Sequence, residues 1–446
     1  MKDGFIKAAS ASPVIKVADT EYNAQRVIET IKAADEMGVK MLVFPELVLT
    51  GCTCYDLTGH NVVLRGAKKA LLEVIAASEG VDMLVFVGLP IAVGSRLYSC
   101  AAAIYDGELL GLVPRENVRG TQFAEPADSY VEVEIDAEHV AVLSTDYVFT
   151  CAALPDLKVA AELGADIDVL VPPSVRHAQA GATVIAQLAS FPETVTSADE
   201  AELTLRSQSR RLHCGMIMAA PGKGESTTDN VFSGLCMIAE NGEILAASEC
   251  ENSMAVTELD VEYIVNTRRG SDDFDLDSDE YYEAVWGGEP VETELTRSYR
   301  KYPHLPANEA DMPAYCERML DIQVSGLVKR MRYAGLDHCV VGISGGVDST
   351  LAVMVSAMAV KKLGLPSTNV VACTMPCFGT SSRTKSNAIV VAEQIGAEVR
   401  VIDIGKSVYQ HFDDIGHAHD DYSIAFENAQ ARERTQVLMD IANKLN

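Results

Sequence analysis

The chain has 446 residues, 48% hydrophobic and 22% charged, enough for two or three domains with full cores. Sixty-four acidic against 36 basic side chains leave a net charge of −28, which repels nucleic-acid phosphates and anionic head groups, so neither nucleic acid nor membrane is an expected partner. No apolar run reaches the roughly 18 residues that cross a bilayer, no leader pattern opens the chain, and eleven cysteines occur without CxxC pairs, which predicts reduced thiols and a cytoplasmic location.

In chain order, residues 23–37 place Val27, Ile28, Ile31 and Ala34 on one helical face. Lys40-Met41-Leu42-Val43-Phe44 then reads as a buried strand and runs into Pro45-Glu46-Leu47-Val48-Leu49-Thr50-Gly51. Met83-Leu84-Val85-Phe86-Val87 and Val140-Ala141-Val142-Leu143 repeat the strand type, so helices and strands alternate as in an α/β layered domain. Four further segments stand out: Val113-Pro114-Arg115, Leu143-Ser144-Thr145-Asp146, Arg206-Ser207-Gln208-Ser209-Arg210-Arg211 and Gly222-Lys223-Gly224-Glu225-Ser226-Thr227-Thr228-Asp229.

Residues 271–294 contain no Lys or Arg but ten carboxylates, Asp272, Asp273, Asp275, Asp277, Asp279, Glu280, Glu283, Glu289, Glu292 and Glu294. Such a run reads as a solvated connector, and Phe274, Tyr281, Tyr282 and Trp286 within it predict that parts pack on a neighbour. Pro303, Pro306 and Pro313 lead into a helix over 314–333. A βαβαβ series follows: strand 339–343, helix 349–362, strand 370–375, helix 382–395 and strand 399–403, which right-handed crossovers would lay in one parallel sheet.

The first turn of that series is Gly342-Ile343-Ser344-Gly345-Gly346-Val347-Asp348-Ser349. Its glycine pair lets backbone approach an anion, Ser344 and Ser349 add hydroxyls, and the first N–H groups of the next helix point at the same spot. It is not a Walker A loop, since Asp348 stands where that motif has lysine, and its carboxylate suits Mg²⁺ held against a pyrophosphate. Ser344 to Ser349 resemble the signature of the ATP pyrophosphatases. Together with Met375-Pro376-Cys377-Phe378-Gly379-Thr380-Ser381 and Glu427-Asn428-Ala429-Gln430-Ala431-Arg432-Glu433-Arg434, they resemble the successive motifs of NAD⁺ synthetases. That resemblance implies ATP and Mg²⁺ as cofactors, Gly342 to Ser349 on the ATP phosphates, Asp348 as metal ligand, and Asn428 and Arg432 as contacts to deamido-NAD⁺. The alternative for Arg432 is a surface ion-pair face. The implied reaction converts the nicotinate carboxylate to an acyl adenylate, and ammonia then displaces AMP. The family continues into a further motif beyond the helix that ends near Asn443, so the synthetase region is expected to be incomplete at Asn446.

The segment Val43 to Gly51 resembles the first motif of the nitrilase superfamily, whose amidases fuse to NAD⁺ synthetase and supply ammonia from glutamine. The segments at 206–211 and 222–229 resemble further parts of that fused family. Working members use a Glu, a Lys and a Cys, the thiolate attacking the amide, Glu moving the proton and Lys supporting the oxyanion. Glu46 matches the acid. Arg115 stands at the lysine position and Ser144 is read at the cysteine position, with Cys52, Cys54 and Cys151 as candidate substitute thiols. The expected architecture is therefore a nitrilase-like α-β-β-α sandwich over 1–265, an acidic ordered linker over 266–312 and a doubly wound, parallel-sheet ATP pyrophosphatase domain over 313–446. The expected function is ATP-dependent amidation of deamido-NAD⁺ with a silent glutaminase half, using free ammonia where the family uses glutamine, in a homo-oligomer. The alternative is a nucleotide-binding scaffold without ligase activity.

Overall fold

The alternating apolar runs and amphipathic helices resolve, in a computed structural model of the chain, into two units, Met1–Ser298 and Tyr299–Asn446. The structure describes residues 1–445 apart from 127–129, 249–252, 275–280, 289 and 379–381, so Gly379, Thr380 and Ser381 of the quoted motif, with Asp275, Asp277, Asp279, Glu280 and Glu289, lie outside the described residues.

The first unit begins β1 (Phe5–Ser12), α1 (Thr20–Glu36), β2 (Met41–Val43), α2 (Asn61–Ala77), β3 (Leu84–Val93), β4 (Arg96–Tyr105), β5 (Glu108–Pro114), β6 (Val131–Glu134), β7 (Val140–Leu143), β8 (Tyr147–Cys151) and β9 (Leu154–Leu163). It continues α3 (Pro173–Gln179), β10 (Val184–Leu188), α4 (Ser197–Leu212), β11 (Gly215–Ala219), β12 (Cys236–Glu240), β13 (Glu243–Ser248), β14 (Ser253–Asp260), α5 (Val261–Arg268) and β15 (Tyr282–Trp286). Two sheets result, ordered β14-β1-β2-β3-β4-β5-β7-β6 and β13-β12-β11-β10-β9-β8-β15. Strands apolar on both faces need cover on both sides. Along β3, Leu84 and Phe86 enter a core shared with Phe149, Val159 and Leu188 of the other sheet, where Phe86 and Phe149 meet edge to face at 5.4 Å. Val85 and Val87 turn the other way, onto Val27, Ile31, Leu71 and Val74 of α1 and α2. On the far side Ile185, Met216 and Met218 pack with Leu205 of α4. The order of layers is helix, sheet, sheet, helix.

The segment expected as an ordered linker over 266–312 packs on the first unit along part of its length. Residues 282–286 form β15, which pairs in parallel with β8, and Trp286 is buried with its Nε1–H donating to the Phe149 carbonyl at 3.1 Å. Arg297 is pulled onto the first unit by two bonds to Glu240, of 2.9 and 3.1 Å, so the division falls after Ser298. A run of like charge is no obstacle to a strand when alternate positions supply apolar side chains.

The second unit comprises α6 (Met312–Ala334), β16 (Cys339–Gly342), α7 (Val347–Lys362), β17 (Val370–Thr374), α8 (Ser382–Ile395), β18 (Glu398–Val401), α9 (Gly405–Ile415) and α10 (Ile424–Leu445). Its three strands are parallel, in the order β16-β17-β18. Alternation along β17 covers both faces: Val370 and Ala372 pack with Val324, Val328, Val353 and Ala359 of α6 and α7, while Val371 and Cys373 pack with Val408, Phe412, Phe426 and Ala429 of α9 and α10. The loops after Gly342 and Thr374 therefore emerge at the carboxyl edge of a doubly wound sheet. Among the described residues no helix is long and apolar enough to cross a membrane.

Candidate active sites

In the first unit the site begins with a turn. The Phe44 N–H still bonds the Phe86 carbonyl, but the Glu46 N–H reaches across to the Ala189 carbonyl at 3.1 Å, and Leu47 takes φ +56°. The close approach of this turn to β3 requires glycine at Gly88, where an added Cβ would lie 2.4 Å from the Leu47 nitrogen and 2.5 Å from the Pro45 oxygen. The turn drives the Glu46 side chain inward until it is 1% exposed.

Three bonds meet that carboxylate. Ser99 Oγ donates to Oε1 at 2.6 Å, and Arg115 Nη1 lies 3.3 Å from Oε1 and 3.2 Å from Oε2. Arg115 follows β5; its backbone N–H bonds the Ser99 carbonyl and its Nε donates to the Asn117 carbonyl at 2.8 Å. The guanidinium expected to support an oxyanion is thus engaged with Glu46 itself. Burial is affordable for both charges only because each is paired and hydrogen-bonded.

Ser144 is not brought to this pair, which corrects its expected place. It follows β7 in the sheet, where its N–H bonds the Leu112 carbonyl at 3.0 Å and its Oγ accepts from the Asp146 N–H at 3.2 Å, and it does not line the cavity beside Glu46. The chain that does meet the pair is the end of β9. Gly164 takes φ +56°, and a Cβ built on it would lie 2.5 Å from Arg115 Nη1 and 2.6 Å from Glu46 Oε2. Its carbonyl accepts from Gln187 Nε2 at 3.0 Å. Two residues on, Asp166 accepts from the N–H groups of Asn117 and Glu116 at 2.6 and 3.1 Å, tying this turn to the segment that carries Arg115. Burial raises the Asp166 carboxyl to about 6 against the pull of those two bonds.

A cavity of about 610 Å³ opens onto Glu46, Arg115 and Gly164, walled further by Cys52, Phe191 and Phe232. Cys52 is the one candidate thiol that lines it, and burial, followed by the charge of Glu225, holds that thiol well above its usual range and therefore protonated. Cys54 donates to the Thr50 carbonyl at 3.0 Å and is pushed up to about 11 by burial. Cys151 is fully buried near Met1, its thiol also raised by burial. None of the three presents a thiolate to the Glu46–Arg115 pair. Ser99, Gly164 and Asp166 went unmarked in the sequence; the available signal was the strand-like stretch Val159-Ala160-Ala161-Glu162-Leu163 followed by Gly164 and, two residues on, Asp166.

In the second unit the chain leaves β16 through Ile343 and turns at Gly345, φ +83°. The Ser344 N–H and Oγ both lie 3.2 Å from Ser349 Oγ, and the Gly346 N–H donates to Ser344 Oγ at 3.3 Å. These bonds curl the loop around the start of α7, whose N-cap Gly346 supplies no side-chain cap. The first-turn N–H groups are left for an anion, with Asp348 exposed in the same turn. Among the described residues no cluster of three His, Cys, Asp or Glu forms a metal cage. Gly342 is fixed by packing, since an added Cβ would meet Leu438 Cδ1 of α10 at 2.9 Å.

Asn428 and Arg432 stand one turn apart on the exposed face of α10, lining a groove of about 620 Å³ with Thr435, Gln436 and Met439. The opposite face carries Phe426, Ala429 and Leu438 into the core. Arg434, which the sequence did not single out, reaches the Met375 carbonyl at the sheet's carboxyl edge, Nε at 3.4 Å.

A carbon-nitrogen hydrolase family model matches residues 7–269, and an NAD synthase model matches residues 319–446. The chain is 32% identical over 464 residues to the glutamine-dependent NAD(+) synthetase of Mycobacterium bovis, covering 99% of this chain and 68% of that protein. It is 25% identical over 461 residues to the enzyme of the same description from Thermotoga maritima, covering 100% of this chain and 73% of that one. Among solved structures, a glutamine-dependent NAD(+) synthetase from Cytophaga hutchinsonii shares the fold, with a TM-score of 0.51 at 16% identity over 98% of this chain and 73% of that one. With an amidase-type sandwich followed by a nucleotide-type parallel sheet, and with both family models matched in that order, the chain belongs to the glutamine-dependent NAD⁺ synthetase family.

Proposed function

We propose that this chain amidates deamido-NAD⁺ to NAD⁺ at the expense of ATP, taking its nitrogen from free ammonia because its amidase half is silent. Membership of the family supports the ligase reaction. The observation that carries the ammonia reading is the closed Glu46–Arg115 pair, which has a glycine where it meets β9 and no thiolate in its cavity.

In the proposed reaction a nicotinate carboxylate oxygen attacks the α-phosphorus of ATP, and the bond to pyrophosphate breaks. Ammonia then attacks the acyl carbon, the bond to AMP breaks, and a proton is lost. The N–H groups of Gly345, Val347 and Asp348 would bind and orient the phosphates in a loop shaped by the Ser344 and Ser349 hydroxyls, with Asp348 holding Mg²⁺ beside them. Magnesium, when bound, neutralises charge on the departing pyrophosphate. Asn428 offers both a donor and an acceptor, and Arg432 a planar fork, to the dinucleotide. Assembly as a homo-oligomer belongs to the same reading, and Met319, Ile322 and Met439, exposed on α6 and α10, supply apolar surface for it.

The test is mass-spectrometric detection of NAD⁺ after incubation with ATP, Mg²⁺ and deamido-NAD⁺, with ammonium or glutamine in parallel. NAD⁺ from ammonium alone is the expected result. NAD⁺ from glutamine as well would overturn the silent amidase, and NAD⁺ from neither, with ATP still bound, would make the chain a nucleotide-binding scaffold.

A further inference from the structure

We propose that Gly164 holds the position from which the nucleophilic side chain of a working amidase would enter, and that the Arg115 guanidinium fills the space such a side chain would occupy. This deepens the silent-amidase reading and rests on it.

Geometry selects the position. A nucleophile must hand its proton to Glu46, so its side chain must point at that carboxylate from bonding range. A Cβ built on Gly164 lies 2.6 Å from Glu46 Oε2, so a side chain at this position would start at the Glu46–Arg115 contact. The same Cβ lies 2.5 Å from Arg115 Nη1, too close for both groups to coexist unless the guanidinium withdraws. Side-chain ends, the Arg115 guanidinium nearest and the Glu46 carboxylate beside it, block the place, not backbone.

The turn cannot slide to present another residue. Gln187 holds the Gly164 carbonyl from the neighbouring strand, and Asp166 holds the backbone of Glu116 and Asn117 on the other side. Its φ of +56° is strained for any residue with a Cβ, the sort of strain that persists where function requires it. Glycine relieves it, and the freed volume goes to an arginine that neutralises Glu46. Ser144, the other candidate, spends its hydroxyl inside its own turn. The two changes, glycine at 164 and arginine at 115, are one steric event.

Two chains test this, Gly164→Cys with Arg115→Lys and Ser144→Cys with Arg115→Lys, each treated with an α-chloroketone analogue of glutamine and mapped by peptide mass spectrometry. In the labelling step the thiol proton passes to Glu46, sulfur displaces chloride at the ketone's α-carbon, and chloride leaves. The expected result is an adduct at position 164, formed at least tenfold faster than at the exposed native Cys316, slowed about tenfold by adding Glu46→Gln, and no adduct at 144. Labelling at 144 that depends on Glu46, or labelling at 164 no faster than at Cys316, would overturn the assignment. Folding supplies a second readout: Gly164→Cys should lower the melting temperature far more with Arg115 intact than with Arg115→Lys, and equal loss in both backgrounds would also overturn it. Glutamate release by the unaltered chain is scored separately, so failure of the silent-amidase reading is distinguishable from failure of the positional one.

Discussion

The two sites treat charge in opposite ways. In the first unit Glu46 has its carboxylate bonded by Ser99 and Arg115, so the polar groups at the base of the cavity answer one another. In the second, the loop of Ser344 to Ser349 spends its hydroxyls on shaping itself and leaves the first N–H groups of α7 uncapped, with Asp348 exposed beside them. A site that is satisfied internally gains stability from its charges, whereas a site that leaves them unanswered holds them for a ligand. On the proposed reading, this contrast separates a retained scaffold from a working centre on one chain.

The contrast breaks most visibly at Asp348. Asp348→Asn should lower ammonium-dependent NAD⁺ formation by about 10²- to 10³-fold, the scale of losing one preorganised electrostatic contact to the transition state. Because the side chain is exposed and makes no core contact, unfolding by urea should shift by no more than about 0.5 kcal/mol. Equal NAD⁺ formation by the variant would remove the loop from the reaction.

Glu46 should behave in reverse. Glu46→Gln leaves the Arg115 guanidinium buried without its counter-charge, which costs about 3 kcal/mol in urea unfolding, as breakage of a buried pair does. Glutamate release from glutamine should stay at background before and after. A working amidase would instead show a measurable rate in the unaltered chain and its loss in the variant.

How much of this was legible in the residues divides along the same line. The helix over 382–395 and the strand–turn–helix around Gly345 match their predicted bounds to within two residues, because apolar strands of four or five residues bounded by Gly and Ser leave one reading. The first unit gave up its layered class but not its hairpins: β3 continues past Val87 to Val93 and turns directly into β4, because apolar residues on both faces blur the period of two. Glu46 and Arg115 were legible as motif members. Gly164 was not, since a glycine carries no chemistry of its own and its meaning comes only from the carboxylate and guanidinium that approach it across two sheets. Ser144 looked suitable because it ends a strand and precedes an aspartate, and that pattern occurs at Gly164–Asp166 as well.

Beneath Gly164 the first-unit site keeps a buried acid. Glu162, facing Gln187 across β9 and β10, accepts from the Ser174 N–H at 3.0 Å, while its other oxygen has no partner among the described residues. Burial raises its carboxyl to about 8. A carboxyl whose folded value lies above its unfolded value of 4.5 contributes stability fully below about pH 4.5 and loses it as the pH rises toward 8, because the unfolded chain ionises first. Stability should therefore fall by up to about 1.4 kcal/mol per pH unit through that window. Glu162→Gln, which keeps the acceptor and removes the titration, should flatten the profile of melting temperature against pH. A profile unchanged by the substitution would mean that Glu162 ionises in place, with solvent reaching it.

The smallest effect sharpens the second site. Arg432 is exposed on α10, and its removal should change stability by no more than about 0.5 kcal/mol. If the groove it shares with Asn428 receives deamido-NAD⁺, Arg432→Ala should raise KM for that substrate about tenfold with kcat little altered, because a contact made equally in ground and transition states affects binding alone. KM for ATP, proposed to bind at Ser344 to Ser349, should stay where it was. Arg434→Ala supplies the internal control. Its Nε bond to the Met375 carbonyl holds α10 to the carboxyl edge of the sheet, so its loss should lower stability by about 1 kcal/mol and disturb both substrates together. If the two arginines exchanged these behaviours, the dinucleotide would lie against the sheet edge, and the exposed face of α10 would be left with Arg432 as an ordinary surface charge.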